Sequence, residues 1–180
     1  MVLQDSDFEA IYHQYKYLVF NLALHYVQNT SDAEDITQEV FIKINSRYYQ
    51  FNPDNASLKT WITRIAINQS LDFIKSKKSL KRFSVIISIF RPELKDQVSS
   101  ISHFNHPGVD LEQKEKIAGI FKHINELPDN QKTAIILNKI EDRPVKEVAL
   151  LMETTVKAVE SLLSRAKSTL SKKLLTTEGN

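Results

Sequence analysis

Cysteine is absent from the 180 residues, which excludes disulfides and thiolate metal centres and fits a reducing compartment. Glycine occurs three times and proline five times, too few breaks for a protein of short strands and tight turns, so a mostly helical chain is expected. The sequence has no glycine-rich phosphate loop, no nucleophile that can be paired with a base, and no cluster of residues at metal-ligand spacing. No catalytic residue, cofactor or metal is therefore assigned. No apolar run approaches the length of a bilayer span, and the first residues lack the basic-then-apolar order of a secretion signal. The cytoplasm is the expected compartment.

What is present is a chain that is 42% hydrophobic, enough to build cores in one medium domain or two small ones. The net charge of +2 hides an uneven distribution. Residues 1–50 carry Lys16, Lys43 and Arg47 against Asp5, Asp7, Glu9, Asp32, Glu34, Asp35 and Glu39. Residues 51–83 reverse the balance, with Lys59, Arg64, Lys75, Lys77, Lys78, Lys81 and Arg82 against Asp54 and Asp72. An acidic unit feeding a basic one suggests two partners of different sign, a protein surface and then nucleic acid.

Asp5, Ser6 and Asp7 are N-cap candidates for a first helix with Phe8, Ile11, Tyr12, Tyr15, Leu18, Val19, Leu22, Ala23 and Tyr26 on its apolar stripe. His13 and His25 along it read as surface or satisfied polar groups. Ser31 with Glu34 resembles a capping box opening a second helix. That helix keeps Ala33, Ile36, Val40, Phe41 and Ile44 on one side and Asp32, Asp35, Gln38 and Glu39 on the other. The acidic ridge has three readings, of which a carboxylate metal site is disfavoured because no His accompanies it at helical spacing, and two stay open. One is a solvated face favoured by the helix dipole; the other is a docking strip, because Ile42 adds an apolar element to the carboxylates.

A turn, FNPDNAS, delivers the chain to the segment from Leu58 to Arg82. Leu58, Trp61, Ile62 and Ile65 recur on one face of a helix, while Lys59, Thr63, Arg64 and Asn68 fall off the stripe. The cluster Lys75, Lys77, Lys78, Lys81 and Arg82 suits phosphate neutralisation. Trp61 reads as a core anchor, with base stacking the alternative. Asn68 sits where the stripe loses phase, so a bend there is expected to present its amide to a base edge.

Residues 83–109 read as a flexible linker, broken by Arg91-Pro92, Ser99-Ser100 and His106-Pro107-Gly108. Its apolar run SVIISIF is open to strand, helix extension or insertion into a partner. His103 and His106 have no nearby carboxylate or Cys and are not read as a metal pair. A second unit over residues 110–175 begins with a helix marked by Leu111, Ile117, Phe121 and Ile124. Leu127-Pro128-Asp129 opens the next, with Ala134, Leu137 and Ile140. Pro144 starts a third at a position where its missing N–H costs nothing, with Val148, Ala149 and Met152 inward. Glu153-Thr154-Thr155 turns, Thr155 caps, and a fourth helix carries Val156, Val159, Leu163, Ala166 and Leu170. Short helix, turn, helix is the helix-turn-helix arrangement, which would aim Lys157, Glu160, Ser161, Ser164 and Arg165 at a DNA major groove. The basic tail Lys167, Lys172 and Lys173 favours DNA binding over an ordinary helical hairpin.

DAEDITQEVFIKIN and SLKTWITRIAINQSLDFIKSKK resemble the polymerase-docking and promoter-opening segments of bacterial RNA polymerase sigma factors of the extracytoplasmic-function group. LPDNQKTAIILNKIEDRPVKEVALLMETTVKAVESLLSRAKSTL resembles the minus-thirty-five-binding domain of the same group. The resemblance implies that Asp35, Gln38 and Glu39, with Asp32 and Ile42 on the same helix, grip the clamp of the polymerase largest subunit. It implies minus-ten DNA contacts for Arg64 and Asn68, to which Trp61, Lys75, Lys77 and Lys78 are added, and minus-thirty-five contacts for Ser161 and Arg165. It further implies that the linker threads between the active-site cleft and the RNA exit channel. An anti-sigma protein joins core polymerase and promoter DNA among the partners to be sought. Three departures stand out: Glu160 where the group usually has Lys or Arg, Leu162 for a frequent Arg, and no Gly in the helix-turn-helix turn, where Glu153 and Lys157 occupy the candidate positions.

The expected architecture is all-α: a docking and minus-ten domain over residues 1–82, the linker, the helix-turn-helix domain, and a tail over residues 176–180. The expected function is promoter-directed initiation on core polymerase. The competing readings are a stand-alone helix-turn-helix regulator that needs no polymerase and a helical interaction adaptor that binds no DNA.

Overall fold

The computed structural model describes residues 5–90 and 111–177. They form α1 (Asp5–Val27), α2 (Thr30–Arg47), a 3-10 turn (Tyr48–Gln50), α3 (Leu58–Phe90), α4 (Leu111–Asn125), α5 (Asp129–Ile135) running into a π turn (Ile136–Ile140), α6 (Val145–Leu151) and α7 (Val156–Thr177). No strand occurs among the described residues.

The first three helices pack on one another. Val19, Leu22, Ala23 and Tyr26 of α1 meet Ile36, Val40 and Ile44 of α2 and Ile62 and Ala66 of α3, all fully buried. Each large aliphatic side chain enclosed in this way contributes about 1.5–3 kcal/mol relative to exposure. The apolar stripes read from spacing are therefore the core, with local exceptions. Tyr12, on the expected α1 stripe, is part-exposed beside Phe41. Thr63, expected on the polar side of α3, is buried and donates its hydroxyl to the Lys59 carbonyl at 2.7 Å. Ser70 does the same with the Ala66 carbonyl at 2.8 Å, so both hydroxyls are satisfied within the helix and enter the core at little cost.

The start of α2 differs from expectation. Asn29 rather than Ser31 is the N-cap, its side chain accepting from the Asp32 N–H at 2.8 Å. The chain can reach that cap because Gln28 takes a left-handed φ of 55°, and its N–H returns to the Leu24 carbonyl at 2.8 Å. The expected bend at Asn68 is also absent: α3 runs straight through it and on to Phe90. SVIISIF is thus a helix extension, and residues 83–90 of the expected linker belong to α3. The rest of that linker, residues 91–109 with His103 and His106, lies outside the described residues.

The remaining helices build a second core from Ile124, Leu127, Ala134, Ile136, Leu137, Val148, Ala149, Leu151, Val159, Leu163 and Ala166. Pro144 occupies the N-cap position of α6 rather than its first turn. Thr155 caps α7 as expected, its hydroxyl accepting from the Ala158 N–H at 3.1 Å. Val156 is 38% exposed and lies off the buried stripe on which it was placed. Among the described residues no helix is long and apolar enough to cross a membrane.

Candidate nucleic-acid interface

The Thr155 cap fixes the direction of α7, and the buried positions Val159, Leu163 and Ala166 fix its rotation. Lys157, Glu160, Ser164 and Arg165 are consequently exposed on the opposite side, with Ser161 half-buried among them. Arg165 donates to the Ser161 hydroxyl at 3.0 Å, which holds the guanidinium on that face. Leu162 turns instead toward the core and packs against it. The five residues expected to read DNA are thus brought together on one helix face.

On α2, Asp35, Gln38, Glu39 and Ile42 are exposed at successive turns, Ile42 to 60%. Asp32 is separated from that strip. Its side chain is only 17% exposed and pairs with Lys77 of α3 at 2.5 Å, so it ties α2 to α3 rather than facing outward. Ion pairing with Asp32 occupies Lys77 in return.

Trp61 lies against Tyr48 and Phe51, with ring centroids 6.2 Å and 5.5 Å away, and packs on the buried core. The core-anchor reading describes it. Asn68 is exposed on the helix surface. Arg64 is held by groups from the other half of the chain. One guanidinium nitrogen lies 2.9 Å from a Glu153 carboxylate oxygen and the other donates to the Leu150 carbonyl at 2.7 Å. Lys75 pairs with Asp129 at 3.2 Å, and Lys78 points to the Asn125 carbonyl at 3.5 Å. Spacing along α3 did not reveal these partners on α4, α5, α6 and the turn that follows α6.

The seam between the halves contains further groups that spacing did not single out. Tyr26 donates to Thr133 at 3.1 Å, both buried. His25 meets Glu141 at 2.6 Å, and Arg143 approaches the same carboxylate at 3.5 Å. The hydrogen bond from His25 holds the Glu141 carboxyl below the usual carboxylate range, with the nearby charges of His25 and Arg143 adding to the effect against the opposing cost of burial. Lys132 is wholly enclosed, and its Nζ has no hydrogen-bond partner. Burial, and secondarily the charge of Lys78, push its ammonium below the usual lysine range. Among the described residues no group of three or more His, Asp and Glu could hold a metal ion.

Two family descriptions match the chain: Sigma-70 region 2 over residues 11–80, and Sigma-70 region 4 over residues 122–170. Between them they take in about two thirds of the sequence. The chain belongs to the sigma-70 family, in its extracytoplasmic-function group. Its relatives include the RNA polymerase sigma-H factor of Pseudomonas aeruginosa, 26% identical over 93% of this chain and 86% of that protein. The ECF RNA polymerase sigma-E factor of Escherichia coli K12 has the same identity and coverage. SigM of Bacillus subtilis is 25% identical over 90% of this chain and 91% of its own length. Among solved structures, CnrH in complex with the cytosolic domain of CnrY has a TM-score of 0.62 at 19% identity, covering 96% of this chain and 90% of that one. Bartonella quintana RpoE in complex with the anti-sigma factor NepR also scores 0.62, at 20% identity, covering 93% and 96%. Both structures share the fold of this chain. In this sigma-70 chain, α1 to α3 correspond to region 2, and the last turn of α4 through α7 to region 4.

Proposed function

We propose that this sigma factor docks on core RNA polymerase through Asp35, Gln38, Glu39 and Ile42 and directs it to promoters. The outward face of α7 reads minus-thirty-five duplex, and Arg64, Asn68 and the Lys75 to Lys78 cluster of α3 engage the minus-ten strand as it opens. Trp61 supports α3 from beneath rather than stacking on a base. The polymerase performs the bond-making chemistry, so the chain itself is not an enzyme.

The observation that carries this reading is the face of α7. After a capped helix-turn-helix turn, all five candidate DNA-reading residues share the side of the helix away from the core. In this geometry the first exposed residues of the second helix enter the major groove, where Arg and Lys donate to guanine edges or phosphates and Glu accepts from cytosine. The membership in the sigma-70 family adds the polymerase, which a stand-alone regulator would not need. Both solved neighbours are complexes with partner proteins, one named as an anti-sigma factor, and an inhibitor of that kind is a candidate partner here.

Run-off transcription with purified core polymerase on genomic DNA tests the proposal. Discrete start sites preceded by a shared pair of sequence elements are expected. A chain that binds DNA but neither copurifies with core polymerase nor supports any transcript would identify a stand-alone regulator instead.

A further inference from the structure

The second half of α3 is built differently from the first. Phe73 and Ile74 pack on the core, whereas Lys75, Ser76, Lys77, Lys78 and Ser79 are all exposed. Five exposed residues in succession cover more than one turn, so the core seats no side of the helix there. Lys75 and Lys77 reach Asp129 and Asp32, yet their side chains stay 60% and 52% exposed. The helix nevertheless continues to Phe90. Its last stretch, KSKKSLKRFSVIISIF from Lys75 to Phe90, holds five cations and no Asp, Glu, Gly or Pro. Leu80, Phe83, Ile87 and Phe90 recur at three- and four-residue steps, a spacing that assigns them to one face of the helix. Lys77, Lys81, Ser84 and Ser88 recur in the same way on the opposite face. Ile86 and Ile89 widen the apolar face, and Lys75, Lys78 and Arg82 precede them on the same flank.

We propose that residues 75–90 of α3 form an amphipathic arm that lies on the surface of a membrane rich in anionic lipid. Nucleic acid would take the cations and leave Phe83, Ile86, Ile87 and Phe90 in water. A second copy of the chain would set five cations against five, and like charges oppose that pairing. An anionic bilayer surface accepts both features. Its headgroups attract the cations and move laterally to meet charges on two sides of the helix, while the boundary with the acyl chains takes the apolar face. The arm lies in the plane of the surface and does not cross it, in keeping with the absence, among the described residues, of any helix long and apolar enough to span a bilayer. One apolar face with one basic cluster gives a peripheral attachment that can be reversed, unlike a spanning helix. This attachment does not depend on the reading of promoter DNA.

Flotation of the full chain with lipid vesicles, with neither DNA nor polymerase present, tests the arm. The parent is expected to bind vesicles of equal parts phosphatidylcholine and phosphatidylglycerol at least about tenfold more tightly than vesicles of phosphatidylcholine alone, and to leave them as salt is raised. Lys81→Glu with Arg82→Glu removes charge, and Ile87→Gln with Phe90→Gln removes apolar contact. Each pair is expected to cut binding to the mixed vesicles at least about fivefold, with the thermal melting curve of the parent retained. The absence of cysteine permits a second readout. A polarity-sensitive dye on Phe90→Cys is expected to shift to shorter emission wavelength on the mixed vesicles, and the same dye on Ser46→Cys, at an exposed site of α2, is expected to stay unchanged. Equal binding to both kinds of vesicle, or variants that bind as the parent does, would overturn the proposal. So would a dye at residue 90 that responds to double-stranded DNA or to core polymerase but not to vesicles, a result that would assign the arm to one of those partners instead. Failure of the broader functional reading is distinct, since it would appear as absent run-off transcripts whatever the vesicles show.

Discussion

The Tyr26 phenol donates to the Thr133 hydroxyl at 3.1 Å inside a seam that excludes water, linking α1 to α5 across 107 residues of sequence. Burial pushes the phenol well above its ordinary pKa, so it remains a neutral donor. A buried polar group left without its partner costs about 1–3 kcal/mol, whereas removing both partners together is nearly neutral. Tyr26→Phe and Thr133→Val should each destabilise the chain in urea by about 1 kcal/mol or more. The double variant should lose less than the sum of the two. Strict additivity would show that the hydrogen bond does not couple the halves.

Glu141 makes the same seam sensitive to acid. Its carboxyl is held below the usual range, first by the His25 hydrogen bond, so the folded state favours the charged form. The resulting stabilisation is fully present above the ordinary carboxylate pKa and is lost as pH falls through the depressed one. Stability measured from pH 7 downward should therefore drop faster in the parent than in Glu141→Gln at the acid end, and the difference between the two curves should vanish below the depressed pKa. Parallel curves throughout would sink the assignment.

Much of the fold was legible because burial follows spacing. The stripes on α1, α2 and α7 became the core, and Thr155 became the cap that its position just before the fourth helix of the second unit suggested. The errors have physical causes. Ser31 lost the cap to Asn29 because Gln28 could take a left-handed turn, a conformation that spacing does not reveal. Asn68 marks no bend, since Thr63 and Ser70 satisfy their hydroxyls within α3 and let polar residues continue the helix inward. Asp32 read as part of the exposed acidic strip because a single helix does not reveal Lys77 on its neighbour. The partners of Arg64, Lys75 and Lys78 lie 47 or more residues further along the chain, and no local pattern encodes a contact of that range.

The strip on α2 gives a prediction about polymerase. Asp35 and Glu39 are exposed one helical turn apart, with Ile42 continuing the strip. If the strip docks on core polymerase as proposed, reversing both charges sets like charge against the partner surface, which weakens association as well as slowing encounter. Asp35→Lys combined with Glu39→Lys should raise the Kd for core polymerase at least about tenfold, equivalent to about 1.4 kcal/mol. Asp32→Asn should have a smaller effect on assembly and a larger one on stability, because it breaks the contact with Lys77. Holoenzyme assembly that survives the double reversal would remove the docking assignment.

Glu160 offers the sharpest test of minus-thirty-five reading, because an acidic side chain on a DNA-facing helix either works against phosphate or accepts from a base. Its neighbours on that face include Lys157 and Arg165. In the major groove a carboxylate can accept from the cytosine amine, and a well-placed base contact is worth about 1–3 kcal/mol of discrimination. Glu160→Ala should therefore relax preference at one position of a randomised minus-thirty-five library while tightening binding to other sequences. Lys157→Ala should instead weaken binding across the library and reduce the slope of log K against log salt by about 1, the signature of a lost phosphate contact. If Glu160→Ala leaves promoter choice unchanged, the carboxylate neither reads a base nor excludes one, and specificity on this face falls to Ser161, Ser164 and Arg165.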